Sequence, residues 1–351
     1  MEKNLGGKNM EYSQVLENAK KRIGPKCKVC PDCNGRACGN LIPGPGSKGP
    51  GNPALTNREG WLKIKLNMDC LCPYDEISTE FEFFGKNFRL PVFTAPVGDL
   101  AIQYNEGDDI KDYNDCAIAA ASDAGTASFF GDGIVEETLV RALDASKANN
   151  GVGVPVINPM NPTRMKGEIE LAKKYNVFLI SYVIDSIGLP HYGKLNKGKR
   201  TKSVSELKEL IDFAERPVIL KGIMTPRSAE KALEAGASGI IVSNHGGRAF
   251  AEGPSTAEVL PEIAAAVGKD CKIIVDGGIR TGLDVFKALA LGADAAMICR
   301  PFLISYYGGG KEGILSYFNK LSDELVETML LTGARKLEDI CPEMLRLPKE
   351  F

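Results

Sequence analysis

The feature that most constrains this chain is a repeat of period rather than of residues: from position 91 onward, short apolar runs alternate with helical stretches. The runs are Pro91-Val92-Phe93-Thr94, Thr126-Ala127-Ser128-Phe129-Phe130, Val154-Pro155-Val156-Ile157 and Phe178-Leu179-Ile180-Ser181-Tyr182-Val183-Ile184, then Pro217-Val218-Ile219-Leu220, Gly239-Ile240-Ile241-Val242, Lys272-Ile273-Ile274-Val275 and Ala295-Ala296-Met297-Ile298. Near-continuous apolar runs are the mark of parallel strands buried on both faces. Patterns such as Ser228 to Gly236 and Gly282 to Gly292 lie between them at helical spacing, each closing on a glycine suited to a helix C-terminus. Eight strand–helix repeats are the count for a (β/α)8 TIM barrel, which takes about 250 residues. Two Rossmann-like halves are the alternative, and no G-x-G-x-x-G follows the first run to support them.

The flanking segments read differently. Residues 10 to 24 have helical spacing and end in Gly-Pro, residues 25 to 60 are irregular and rich in Cys, Gly and Pro, and a second helix is expected from Thr56 or Asn57 through Trp61. The expected division is an N-terminal extension over 1–60 and a barrel with C-terminal helices over 61–351, the last helical stretch running through Leu315 to Leu331. A net charge of −2 with interspersed signs excludes a nucleic-acid or membrane surface as the expected role, and the basic run Lys194 to Lys202 reads as a solvated loop. A polar N-terminus and the lack of any run of roughly 18 apolar residues lead to the expectation of a soluble cytoplasmic protein.

In a barrel of this kind the residues just after each strand face one another across one rim, however far apart they are in sequence. Here they are Thr94-Ala95-Pro96, Asp185, Lys221-Gly222, Ser243-Asn244-His245-Gly246-Gly247-Arg248, Asp276-Gly277-Gly278-Ile279-Arg280 and Cys299-Arg300-Pro301. His245, one of two histidines, fits a general base oriented by Asp185, or a histidine bonded beneath a loop. Arg248 suits a substrate carboxylate, and Lys221 suits a Schiff base or the stabilisation of developing negative charge. Gly277, Gly278, Arg280 and Arg300 on the last two loops predict a phosphate-bearing ligand, against the alternative of a tight turn.

The stretch Ser243 to Arg248, with Gly253-Pro254-Ser255-Thr256, Leu260-Pro261-Glu262-Ile263, Asp276 to Arg280, Asp284 to Ala293 and Arg300-Pro301, resembles the FMN-dependent α-hydroxy-acid oxidase and dehydrogenase family. The likeness is strong over 217–303 and remains in register from about Asn52 through Gly125. It implies FMN, a small 2-hydroxy or 2-oxo carboxylate as substrate, and a homo-oligomer. His245 would be the acid/base, Asp185 its partner, Arg248 the carboxylate clamp and Lys221 a neighbour of flavin N1 and O2. Thr94, Ala95, Pro96 and Ser243 would lie at the flavin, with Asp276, Gly277, Gly278, Arg280 and Arg300 on its ribityl and phosphate. An FMN-dependent isomerase of the type 2 isopentenyl diphosphate kind, or a flavin-binding protein without turnover, are the alternatives. The chain departs from the family at several points: the third strand ends in Asn158-Pro159-Met160 in place of glutamine and tyrosine, the second-strand serine and the amino-terminal tyrosine find no match, and Cys299 replaces a glycine. The loop between Asp185 and Lys221 lacks a second substrate arginine.

The family pattern has no counterpart for Cys27, Cys30, Cys33 and Cys38. The C-x2-C-x2-C-x4-C spacing approaches that of a ferredoxin and leads to the expectation of a [4Fe-4S] cluster passing single electrons to an external carrier, with Cys70 and Cys72 as substitute ligands. Structural zinc and plain packing remain the other readings.

Overall fold

The computed structural model describes residues 10–39, 52–72, 76–158, 162–189, 201–250 and 252–349. All eight apolar runs are strands: β1 (Val92–Thr94), β2 (Ser128–Gly131), β3 (Gly153–Ile157), β4 (Ile180–Val183), β5 (Val218–Ile223), β6 (Gly239–Val242), β7 (Lys272–Val275) and β8 (Ala295–Ile298). Every neighbouring pair is parallel, and β8 returns to β1 through Ala296↔Val92, Met297↔Phe93 and Ile298↔Thr94, so the sheet closes. Residues on both faces of most strands are buried, as expected for a barrel wrapped in helices.

The helices are α1 (Tyr12–Lys20), α2 (Pro53–Lys63), α3 (Leu100–Gln103), α4 (Ile110–Ala124), α5 (Glu136–Ala148), α6 (Pro162–Lys174), α7 (Val204–Ala214), α8 (Pro226–Glu234), α9 (Thr256–Val267), α10 (Gly282–Ala290) and α11 (Arg300–Thr332). Their starts are written in the sequence: Ser203 with Glu206, Ser255 with Glu258 and Thr281 with Asp284 form reciprocal capping boxes before α7, α9 and α10. Helix α2 begins earlier than expected. Asn52, not Thr56 or Asn57, is its cap, because the Asn52 side chain accepts from the Leu55 N–H and Pro53 fits the first turn without needing a donor. Helix α11 breaks at Gly309 and Gly310, and only Gly310, at φ 58°, needs glycine's left-handed freedom.

An antiparallel hairpin, Phe81–Phe83 with Lys86–Phe88, stands before β1. Its Phe83 packs on Phe93 at 5.3 Å, and Phe93 on Phe129 at 5.5 Å, so a stack of aromatic rings links the hairpin to the first two strands. Helix α2 is tied to the carboxyl-end rim by the buried Trp61, whose Nε1–H donates to the Gly277 carbonyl at 2.7 Å. Arg58 adds a buried ion pair with Asp284 at 2.8 Å. Among the described residues no helix is long and apolar enough to cross a membrane. The basic run Lys194 to Lys202 and the Gly/Pro segment lie largely outside the described residues, as do Pro159 and Met160.

Candidate active site

The rim residues surround one cavity of about 670 Å³, within the usual size of a small-molecule or cofactor site. His245, Arg248, Lys221, Asp276, Gly277, Gly278, Arg280, Arg300, Ala95 and Pro96 all reach its wall. Thr94 and Ser243 are fully buried and do not form that wall: Thr94 Oγ1 is bonded to Ser128 Oγ at 2.7 Å, and Ser243 Oγ accepts from Lys221 Nζ at 2.7 Å.

His245 sits at the tip of β6 with φ 59°, a left-handed backbone that costs a non-glycine residue roughly 1–3 kcal/mol and is kept where surrounding contacts over-determine it. Two contacts do so here. The His245 N–H donates to Ser243 Oγ at 3.1 Å, and Nδ1 lies 2.9 Å from Asp185 Oδ1. With Nδ1 engaged, Nε2 is the ring nitrogen left for the cavity. Asp185 comes from the end of β4, and burial pushes its carboxyl up, but His245 and Lys221 outweigh that and hold it below the usual range. It is therefore an anion behind the imidazole. Neighbouring Gly222, at φ 109°, has no room for a side chain, since a Cβ there would fall 2.6 Å from the Asp185 Cβ.

Lys221 is almost fully buried at the end of β5. Burial disfavours its charge, but Asp276, 3.3 Å away, and Asp185 more than compensate, so its pKa is raised and it stays an ammonium. Arg248 is held by Gln103 Oε1 through Nη1, while its Nε is buried with no partner. Desolvation lowers its pKa, the signature of a guanidinium in need of an anion.

The β7 and β8 tips form a second end. Gly277 and Gly278, both at positive φ, present their carbonyls to α2 and α9: the Gly277 oxygen accepts from Trp61 and Thr256, the Gly278 oxygen from Arg58. The glycines are required by packing as well as by any ligand, because a Cβ on Gly278 would fall 2.4 Å from the Asn57 carbonyl oxygen. Asp276 Oδ1 and Arg280 Nη2 are buried without partners. Orphaned acceptors, donors and guanidinium groups lining one wall match the needs of a polyhydroxylated phosphate chain, so the residues present fit FMN.

The expected iron–sulfur cluster finds no support in the structure. Among the described residues no group of three or more His, Cys, Asp or Glu is arranged to hold a metal, and every cysteine is a free thiol. Burial pushes the Cys27 thiol up to about 11, and Cys27 and Cys33 pack against the core. The segment braces the rim: the Cys33 carbonyl accepts from Arg280 Nε at 2.7 Å, and Asp32 pairs with Arg58 at 2.7 Å.

Several site residues carry no sequence signal that would find them. Asn57 and Asn244 exchange reciprocal amide hydrogen bonds at 2.7 and 2.8 Å, fastening α2 to the His245 loop. Asp132, after β2, is buried on the cavity wall, and its carboxylate accepts from both the backbone and the side chain of Asn158, after β3. Burial raises Asp132 to about 6 and, together with Asp132 itself, raises Glu168 on α6 to about 7. Gln103 and Tyr104 enter from the short helix α3.

The family described as FMN-dependent dehydrogenase matches residues 46–148 and 190–347. A 2-hydroxyacid oxidase of Dictyostelium discoideum is 33% identical over 315 residues, covering 81% of this chain and 80% of that protein. An L-lactate oxidase of Lactobacillus jensenii is 47% identical over 137 residues, 39% of this chain and 33% of that protein. Among solved structures, a mandelate oxidase superposes with a TM-score of 0.75 at 25% identity, covering 94% of this chain and 96% of the other.

Proposed function

Since the chain belongs to the FMN-dependent dehydrogenase family, we propose that its rim cavity is the catalytic site of an FMN-dependent oxidoreductase that oxidises 2-hydroxy acids. The observation that carries this reading is His245, on the same cavity as Arg248 and the anion-seeking groups of β7 and β8, with Asp185 2.9 Å behind its Nδ1. FMN, when bound, accepts the two electrons and the hydrogen that leave the substrate α-carbon.

The chain's own residues divide the remaining work. Asp276, Gly277, Gly278, Arg280 and Arg300 would hold the ribityl and phosphate, and Ala95 and Pro96 would line the ring. Lys221 offers a fixed positive charge where the ring gains negative charge, with Ser243 and Asp276 setting the direction of its ammonium. Arg248 binds the substrate carboxylate. His245 Nε2 takes the proton from the substrate hydroxyl, and Asp185 stabilises the imidazolium that results and holds the ring in the tautomer with Nε2 free. The relatives matched are named oxidases and dehydrogenases, which favours net oxidation over an isomerase using the same cofactor.

The test is anaerobic mixing of the FMN-loaded protein with a panel of 2-hydroxy acids. Bleaching of the oxidised flavin spectrum by at least one of them is the expected result. A flavin that no 2-hydroxy acid bleaches would overturn the assignment.

A further inference from the structure

Tyr104 lies at the C-terminal end of α3, with its N–H bonded to the Leu100 carbonyl at 2.7 Å and its ring packed on Tyr307 at 5.9 Å between centroids. The ring is 5% exposed, on the wall of the cavity that holds His245 and Arg248. Its hydroxyl makes no hydrogen bond with any described residue. Tyr307, the obvious partner, spends its own hydroxyl on Asp108 at 2.5 Å. A phenol so placed is open to the cavity, with its hydroxyl available to a ligand bound there.

Its surroundings say which kind. The preceding residue, Gln103, holds Arg248 Nη1, which fixes the arginine beside Tyr104 and leaves Arg248 Nε without a partner. Burial holds the phenol in its neutral, donating form, while Arg248 and Arg300 both act on it with positive charge. A neutral O–H donor beside a desolvated guanidinium with a spare N–H is a two-donor seat for a carboxylate, whose two oxygens can be met separately.

Resting on the function proposed above, we infer that Tyr104 is a substrate-binding residue, donating a hydrogen bond to the same carboxylate that Arg248 clamps.

The test uses the FMN-loaded full chain and its Y104F variant, which keeps the ring that packs on Tyr307. Oxalate, an unreactive dicarboxylate, is titrated against the flavin visible spectrum, and FMN affinity is measured separately by flavin fluorescence. Loss of a hydrogen bond to a charged group should weaken oxalate binding about tenfold or more and raise KM for any bleaching 2-hydroxy acid by a similar factor. FMN affinity and melting temperature should stay unchanged. Equal oxalate binding by the two proteins would overturn the inference. So would weakened FMN binding with oxalate binding preserved, which would assign the phenol to the cofactor phosphate through Arg300, or a wild-type holoprotein with no affinity for oxalate. A wild-type flavin that binds oxalate but is bleached by no 2-hydroxy acid would instead sink the oxidoreductase reading, leaving the carboxylate seat to stand on its own result.

Discussion

His245 concentrates three costs in one residue: a left-handed backbone, a half-buried ring and one nitrogen committed to Asp185. The return, in the mechanism proposed above, is an Nε2 fixed in place as a base. His245→Asn should therefore lower the rate of flavin reduction by roughly 10²–10⁴-fold, the worth of a positioned general base. Flavin content should be retained, because no proposed phosphate contact is touched; stopped-flow reduction and the absorbance ratio of flavin to protein measure the two. A second residue-scale consequence comes from Glu168 and Asp132. Both carboxyls are raised above their ordinary values, to about 7 and about 6, so the folded chain keeps protons that the unfolded chain releases near pH ~4. Their contribution is complete below that pH and drains away as pH rises through 6 to 7. The melting temperature should fall between pH 5 and pH 8, and Glu168→Gln should flatten that slope, as differential scanning fluorimetry across the range would show.

At the scale of elements, the junction of α2 with the β7 tip is the tightest in the site. Gly278→Ala would set a Cβ 2.4 Å from the Asn57 carbonyl oxygen at φ 85°, whereas Gly246→Ala meets open space and bears backbone strain alone. The first should cost about 1–3 kcal/mol from overpacking in addition to its strain, the second only about 1–2 kcal/mol. In a chain this long each kcal/mol is worth about 1–2 °C of melting temperature. Gly278→Ala should also weaken FMN binding, measured by fluorescence. The strands were legible because parallel barrel strands are apolar on both faces, and the His245–Asp185 pairing followed from topology once eight strands were counted. Tyr104 and Gln103 were not, because a four-residue helix has no period to read. Nor was Asn57, a buried polar residue whose partner lies 187 positions away. The cysteine spacing says how near thiols are along the chain and not how they are arranged in space, and it gave no sign that the segment also braces Arg280 and Arg58.

For the molecule as a whole, the proposed cofactor site is distributed around the ring, with its cavity wall running from Ala95 after β1 to Arg300 after β8. A ligand that touches so many elements binds the folded barrel and not the unfolded chain. FMN at a hundred times its dissociation constant should therefore stabilise the fold by about 2.7 kcal/mol, and the melting temperature should climb with the logarithm of added FMN. A melting temperature indifferent to FMN would mean that the cofactor seat is not part of the cooperative unit. The closure of β8 onto β1 through Ala296↔Val92 and Ile298↔Thr94 also carries a temporal meaning. These partners are about 200 positions apart, so the last seam cannot form until nearly the whole chain has left the ribosome. Until then Ala95 and Arg300 do not share a wall. A nascent chain can collect strands and helices in order, but the proposed flavin seat is not assembled, and FMN cannot be taken up there, until β8 has emerged and the seam has closed.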